Sequence, residues 1–152
     1  MSAVTQQEAH SAIECLGRLS AIYQQRRQQL AAEVGLTEHQ WEVLEEISSE
    51  HFMPSMFARS RQSSRAAVSK TLRQLLDKGL TKVTAGVQDA RQRRHELSPH
   101  GKRVLSRLRA ARESAVADVW LTLDGPALRQ FTRFGSELAE RLEAYAKQAE
   151  KE

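Results

Sequence analysis

The sequence predicts a mainly α-helical protein with one small β-hairpin, and three observations support this fold class. Apolar residues recur at three- and four-residue spacing through most of the 152 residues, which is the period of an amphipathic helix. Aromatic residues make up only 5% of the chain, with 7 Gly and 3 Pro, so the many turns of a sandwich or barrel are not expected. Residues 80–84 alternate apolar and polar side chains, as one short strand does.

The first two helices are predicted from their apolar faces and their ends. Residues 5–34 read as one long helix, and Gly35 is a typical C-terminal stop. Thr37 and Gln40 have the spacing of a capping box that begins a second helix. The apolar face of the first helix is Ile13, Leu16, Leu19, Ile22, Tyr23, Leu30 and Val34, and that of the second is Trp41, Val43, Leu44 and Ile47.

A short third helix and a fourth helix follow with the spacing of a helix-turn-helix. Pro54 suits the first turn of a helix over residues 54–60. Residues 61–64 form a turn, and Ser64 is the predicted N-cap of a helix that runs to Lys78 and ends at Gly79. About four residues between two helices is the helix-turn-helix arrangement. The predicted buried stripe of the fourth helix is Val68, Leu72, Leu75 and Leu76.

The rest of the chain predicts a hairpin and two further helices. Strands at residues 80–84 and 93–97 enclose a tip at residues 85–92. Ser98 caps a fifth helix that extends to about residue 121, and residues 124–126 break the chain before a last helix over residues 126–151. Long helices striped on one side often bury that stripe against another chain. We therefore expect residues 1–35 and 99–152 to form a helical dimerisation region and residues 36–98, the helix-turn-helix with its hairpin, to form a second module, both integrated in a single domain.

Charge is concentrated in the middle of the chain. Residues 59–94 hold ten Lys/Arg and two Asp, a net charge of +8, whereas the whole chain carries +4. A helix-turn-helix followed by a basic hairpin suits a polyanion, and Arg, Ser and Lys side chains bind base edges and phosphates. The candidate DNA-binding residues are Arg61, Ser64, Arg65, Ala66, Ser69, Lys70, Arg73, Asp89, Arg91, Arg93 and Arg94.

The order and spacing of several motifs resemble the MarR family of winged helix-turn-helix transcriptional regulators. The family pattern of D-x-R followed by L-[TS]-x-x-G corresponds to Asp89-Ala90-Arg91 and then Leu97-Ser98-Pro99-His100-Gly101. LTEHQWEVL (36–44) resembles the second helix of the family, and AAVSKTLRQLLDKGL (66–80) its recognition helix. The turn departs from the usual L-G-V-S, because residues 61–64 read Arg-Gln-Ser-Ser.

The resemblance implies a homodimer that binds double-stranded DNA at a pseudo-palindromic operator. The two recognition helices would lie about one DNA turn, roughly 34 Å, apart. Arg91 would enter the minor groove, with Asp89 as its brace. The family also implies a repressor that a small phenolic or aromatic ligand releases from DNA, and the candidate ligand-binding residues are Tyr23, Arg26, His39, Trp41 and Arg112.

Two alternative functions remain open. Cys15 lies about where the peroxide-sensing branch of the family carries its reactive cysteine, and Arg18 could polarise the thiol, but Leu19 and Gln29 stand where that branch has tyrosines. A redox-sensing regulator is therefore an alternative to ligand release. The other alternative is a winged-helix module that binds protein or RNA through the same basic face.

Several functional classes are not expected. The chain has no P-loop, no dinucleotide glycine fingerprint and no G-x-S-x-G motif, so it is not expected to be an enzyme or to need a cofactor. The five His residues show no H-x-x-x-H pairing and there is one Cys, so no metal site and no internal disulfide are expected. No apolar run approaches the length of a membrane span and the N-terminus does not resemble a secretory signal, so we expect no membrane partner and a cytoplasmic location.

Overall fold

The computed structural model describes residues 2–49, 52–61, 63–85 and 93–150. Within these residues the chain forms six α-helices, a two-stranded antiparallel sheet and one turn of 3-10 helix. The mainly α prediction with one hairpin is confirmed. The elements are α1 (Gln6–Glu33), α2 (Glu38–Ile47), α3 (Pro54–Ser60), α4 (Arg65–Asp77), β1 (Thr81–Ala85), β2 (Arg93–Leu97), α5 (Pro99–Asp118), the 3-10 turn (Trp120–Thr122) and α6 (Gly125–Ala149). Two compact units are present, Met1–Ala111 and Arg112–Glu152.

The helices begin where local capping chemistry predicts. The Thr37 side chain accepts the Gln40 backbone N–H, and the Gln40 side chain accepts the Thr37 backbone N–H, both at 3.1 Å. Ser64 Oγ accepts the Ala67 N–H at 3.0 Å, and Ser98 Oγ accepts the Gly101 N–H at 3.0 Å. Each bond pairs a backbone donor that the first helical turn leaves free, which is why these three helices start at these residues.

The core of the first unit lies between α2, α4 and the first half of α5. Helix α4 packs against both α2 and α3. The predicted buried stripe of α4 is correct for Val68, Leu72 and Leu75 but wrong for Leu76, which is 43% exposed. Leu76 lies on a solvent-exposed flank of α4, and Leu75 takes the inward position. The largest fully buried side chains are Trp41, Leu44, Leu75, Leu105, Leu108, Val43 and Val68.

The hairpin is antiparallel, with Thr81 opposite Leu97 and Ala85 opposite Arg93. The first strand begins one residue later than predicted because Leu80 closes the turn after α4: its N–H donates to the Leu75 carbonyl at 3.0 Å. Gly79, which precedes it, has a φ of 70°, a conformation that glycine adopts without strain. The predicted tip at residues 85–92 lies outside the described residues after Ala85.

The fifth helix ends at Asp118, about three residues earlier than predicted, and the 3-10 turn follows it. The break at residues 124–126 is the start of α6, because the Asp124 carboxylate accepts the Ala127 N–H at 2.9 Å and Pro126 occupies the first turn. Asp124 is thus the N-cap of α6, whereas the sequence predicted only a break in the chain at residues 124–126.

The apolar stripes of α1 and α6 are largely exposed in this single chain. Ile13 of α1 is 64% exposed, and Phe134 of α6 is 61% exposed. A monomeric soluble protein rarely leaves apolar rows of this length in water. The exposed apolar residues of the two helices are Ile13, Leu16, Leu19, Ile22 and Tyr23 of α1, and Phe131, Phe134, Leu142 and Tyr145 of α6.

Candidate nucleic-acid interface

Helix α4 presents a polar, cationic face to solvent. Val68, Leu72 and Leu75 hold the opposite side of the helix in the core. The five predicted outward residues of α4 are all exposed, as is the N-cap Ser64: they are Arg65, Ala66, Ser69, Lys70 and Arg73. Ala66, Ser69, Lys70 and Arg73 share one side of the helix because they are three, four and seven residues apart. Small side chains at the start of this row leave room for close approach of another surface.

The C-terminal end of α3, at the start of the turn that leads to α4, carries one further cation. The Ser63 N–H donates to the Ala58 carbonyl at 2.8 Å, which ties the turn to the end of α3. Arg61 ends α3, and its guanidinium lies 3.9 Å from Glu46 and 5.8 Å from the Phe57 ring centroid. Both ionic side chains are about half exposed, so this pair is weak and Arg61 remains able to bind an anion.

The described part of the hairpin carries further cations, and one acidic side chain forms ion pairs with two of them. Glu96 lies 3.4 Å from Arg94 and 3.6 Å from Lys82, its cross-strand partner in the register. Arg93 is exposed. Asp89 and Arg91, the two residues to which the resemblance assigns the minor-groove contact, lie outside the described residues. Glu96 was missed from the sequence, although its position opposite Lys82 in a hairpin could have identified it.

His95 is the titratable residue of the hairpin whose pKa is perturbed. Its ring lies edge-on to Phe52, with 6.2 Å between ring centroids. Partial burial lowers the pKa of His95, and the neighbouring positive charge of Arg93 lowers it further. Both effects disfavour the imidazolium form. His95 thus packs against Phe52, and both effects oppose a positive charge at this position.

The candidate ligand-binding residues are only partly brought together. The Arg27 guanidinium, which the sequence interpretation missed, lies 4.1 Å from the Trp41 ring centroid and 5.9 Å from that of Tyr23. Arg27 also pairs with Glu38 at 3.0 Å. Tyr23 is exposed and Trp41 is buried in the core. The sequence signal for the contact between Tyr23 and Arg27 was their four-residue spacing, which places them one helical turn apart on the same side of α1.

The other candidates have separate partners. His39 Nδ1 lies 2.9 Å from Thr71 Oγ1 on α4, and Arg26 lies 4.0 Å from Glu33 on its own helix. Arg112 belongs to the second unit, where it lies 3.8 Å from Glu113. Cys15 is exposed on α1. A ligand pocket and a redox role for Cys15 both remain predictions.

A polar chain surrounds Trp41 and connects α1, α2 and α5. The Trp41 indole N–H donates to Glu45 Oε1 at 3.3 Å. Arg109 of α5 donates to Glu45 Oε2 at 2.7 Å and to Ser48 Oγ at 2.9 Å. Because the Arg27 guanidinium lies over the indole ring, side chains of α1, α2 and α5 meet around Trp41.

Two structural features are absent from the described residues. No group of three or more His, Cys, Asp or Glu side chains lies together there as metal ligands would. No helix in the same part of the chain is both long and apolar enough to cross a membrane.

Comparison with known proteins identifies the fold. No family model and no curated protein matches the sequence. Among solved structures, a MarR family transcription regulator superposes with a TM-score of 0.82 at 19% identity, over 93% of this chain and 94% of that one. Staphylococcus aureus MarR in complex with salicylate and kanamycin gives 0.72 at 15% identity, over 91% and 95%. The S. aureus MepR–DNA complex gives 0.67 at 17% identity, over 91% and 96%. The chain therefore has the winged helix-turn-helix fold of the MarR-family transcription regulators.

Proposed function

We propose that this chain is a sequence-specific DNA-binding transcription regulator that reads duplex DNA with α4 and the basic hairpin. The observation that carries the proposal is the division of α4 into a buried apolar stripe and an exposed face with Arg65, Lys70 and Arg73. The similarity to the fold of MepR, which was solved with DNA, supports the same arrangement here. In this arrangement Arg73 and Lys70 bind phosphates or guanine edges, and Ser69 and Ala66 approach the base edges.

A selection from a random duplex library tests this proposal. The wild-type protein should enrich a pseudo-palindromic sequence, because two equivalent subunits read two half-sites. Binding of the enriched duplex should fall by about 10³ to 10⁵ between 50 and 200 mM salt if six to ten phosphates are contacted. A flat salt response, or tighter binding to a structured RNA than to any duplex, would reject the proposal in favour of another partner.

Matched charge substitutions locate the interface. Arg73→Ala should weaken binding of the enriched duplex about tenfold, since a good Arg contact contributes about 1–3 kcal/mol. Arg107→Ala removes the same charge from an exposed position on α5 and should change affinity less than twofold. Equal losses in the two variants would mean that binding depends on total charge rather than on α4. Arg91→Ala, in the segment that the sequence predicts to be the hairpin tip, should weaken binding strongly without changing the oligomeric state.

We further propose that the protein is a homodimer, with residues 1–35 and 99–152 as its dimerisation region and residues 36–98 as its DNA-binding module. The exposed apolar rows of α1 and of α6 support this assignment. Sedimentation equilibrium should give twice the 17.2 kDa mass of the chain. Phe134→Asp should produce monomers, whereas Ser136→Asp, at an exposed position on the opposite side of the same helix, should leave the dimer intact. A wild-type monomer at micromolar concentration would refute the assignment.

We also propose that the protein represses transcription and is released from DNA by a small aromatic or phenolic anion. The solved complex of a structurally similar MarR protein with salicylate supports this ligand class. In this chain Arg27 supplies a cation between Tyr23 and Trp41. Salicylate, used as the probe, should weaken DNA binding and quench Trp41 fluorescence in a Trp120→Phe background. DNA affinity that is independent of salicylate and of related benzoates would reject ligand release.

A further inference from the structure

Helix α4 carries a second polar row, separate from its exposed cationic face. Thr71, Gln74 and Lys78 are spaced three and four residues apart and so share one side of the helix. All three contact α2 or the turn that precedes it. We call these residues, with His39 and Gln40 of α2, the polar seam. Thr71 is 6% exposed and Gln40 is 5% exposed, so the centre of the seam is shielded from water.

Gln40 is the centre of the polar seam, and its amide orientation is determined by its partners. Its Oε1 accepts the Thr37 backbone N–H at 3.1 Å and the Lys78 ammonium at 3.3 Å. Both groups can only donate, so the amide oxygen must face them. The Nε2 group therefore faces α4, where it donates to Gln74 Oε1 at 2.9 Å. One side chain thus caps α2 and holds α4 near its C-terminal end.

The two ends of the polar seam extend this connection along α4. The Lys78 ammonium also donates to the Gly35 carbonyl, in the turn that joins α1 to α2. At the other end, Thr71 Oγ1 donates to the Ala67 carbonyl at 3.1 Å and lies 2.9 Å from His39 Nδ1. About the last two turns of α4, from Thr71 to its C-cap Lys78, are therefore attached to α2 and the α1–α2 turn by directional contacts.

The seam constrains a motion that the apolar core does not. Apolar packing is non-directional, so the core contacts of Val68, Leu72 and Leu75 constrain the roll of α4 less sharply than hydrogen bonds do. Hydrogen bonds weaken steeply as their angle departs from linearity. Readout of base edges needs the same angular accuracy, whereas attraction to phosphates does not.

We infer that Gln40 and Gln74 are positioning residues that set the roll of α4 and thereby determine base specificity more than total DNA affinity. This inference rests on the proposed DNA-binding function. It concerns residues that lie outside the exposed face and are not expected to touch DNA.

A double-mutant cycle tests the pairing. In Gln74→Glu, the Gln40 amide still donates to the new carboxylate. In Gln40→Glu, the carboxylate keeps both Thr37 and Lys78, and the Gln74 amide can turn to donate. Each single variant should therefore keep discrimination between the selected duplex and a scrambled duplex within about threefold of wild type. The double variant Gln40→Glu/Gln74→Glu leaves two acceptors facing each other and should lose at least tenfold.

Two further variants provide the controls. Gln40→Glu/Gln74→Lys restores a donor–acceptor pair and the net charge, and should recover discrimination to within about threefold. Gln74→Leu removes the acceptor without changing charge and should lower discrimination about fivefold, which tests the inference if the double carboxylate variant does not fold. The readout is the ratio of the two dissociation constants, because the effect of added charge on non-specific binding cancels in it.

The possible results separate the two proposals. If the wild-type protein selects no duplex, the proposed function fails and this inference fails with it. If the wild-type protein is specific but Gln74→Leu and the double carboxylate variant discriminate as it does, only the inference on the polar seam is overturned. Equal losses of specific and non-specific binding would also overturn it.

Discussion

Substitution of Gly101 by alanine is expected to strain the junction between the hairpin and α5. Gly101 lies in the first turn of α5, where a Cβ atom would sit 1.9 Å from the carbonyl oxygen of Leu80 and 2.9 Å from its carbonyl carbon. That oxygen also accepts the Ser98 N–H at 3.0 Å, and Leu80 is a buried core residue. Both sides of the clash are backbone, so no side-chain rotation can relieve it.

The structure sets the size of this effect. The Cβ–oxygen separation must increase by more than 1 Å, since real Cβ contacts under 3.0 Å essentially do not occur. Overpacking of a core costs about 1–3 kcal/mol, and a clash between two backbone segments belongs at the upper end, near 3 kcal/mol. At about 2–4 °C per kcal/mol for a chain of this length, the Tm should fall by roughly 6–12 °C.

Thermal and urea unfolding, followed by circular dichroism at one protein concentration, measure this loss. Gly17→Ala is the matched control, because Gly17 is within α1 and its Cβ would meet nothing within 4 Å. That control should gain about 0.5–1 kcal/mol from helix propensity. An unchanged Tm for Gly101→Ala would refute the reasoning, and so would equal losses in both variants.

Three further predictions concern single side chains. Thr81 Oγ1 is buried and has no hydrogen-bond partner among the described residues. Thr81→Val should therefore raise the free energy of unfolding by about 1 kcal/mol, and a lower value in urea unfolding would contradict this. Arg109→Ala removes the ion pair with Glu45, and because Arg109 is 46% exposed, the free energy of unfolding should fall by only about 0.5–1 kcal/mol. The fall should be smaller in Arg109→Lys. A fall above about 3 kcal/mol would show that solvent does not weaken this pair as expected. Burial and Arg93 lower the pKa of folded His95, so the unfolded chain binds more protons and stability is lost as the pH falls below about 6.5 toward the folded pKa. The difference in stability between wild type and His95→Gln should therefore depend on pH in this window, and a constant difference would contradict the shift.

Helix boundaries were predictable because their chemistry is local. The Thr37–Gln40 capping box and the Ser64 and Ser98 caps join residues three apart, so the pattern is visible in a short stretch of sequence. The same holds for Gly79, whose positive φ ends α4. The outward set on α4 also followed from its period, because a helix with one apolar stripe must expose the other side.

Contacts between distant segments were not predictable in this way. Leu76 has the spacing of a buried residue, but its exposure depends on where α2 and α3 pack. The stacking of Arg27 on Trp41 and the pairing of Gln40 with Gln74 join residues on different helices. Many polar pairs are compatible with the same apolar pattern, and only one relative position of the helices selects among them.

Local signals in the chain were sufficient for the helix ends, the hairpin, the concentration of positive charge and the resemblance to a family, since each depends on neighbours within a few residues. The three-dimensional packing was needed to learn that α4 is held in place by directional polar contacts and that the α1 and α6 apolar rows remain uncovered in one chain. The reason is physical: periodicity specifies which side of a helix is apolar, whereas the partner of each side chain depends on the angle and distance between helices that meet only in the folded state.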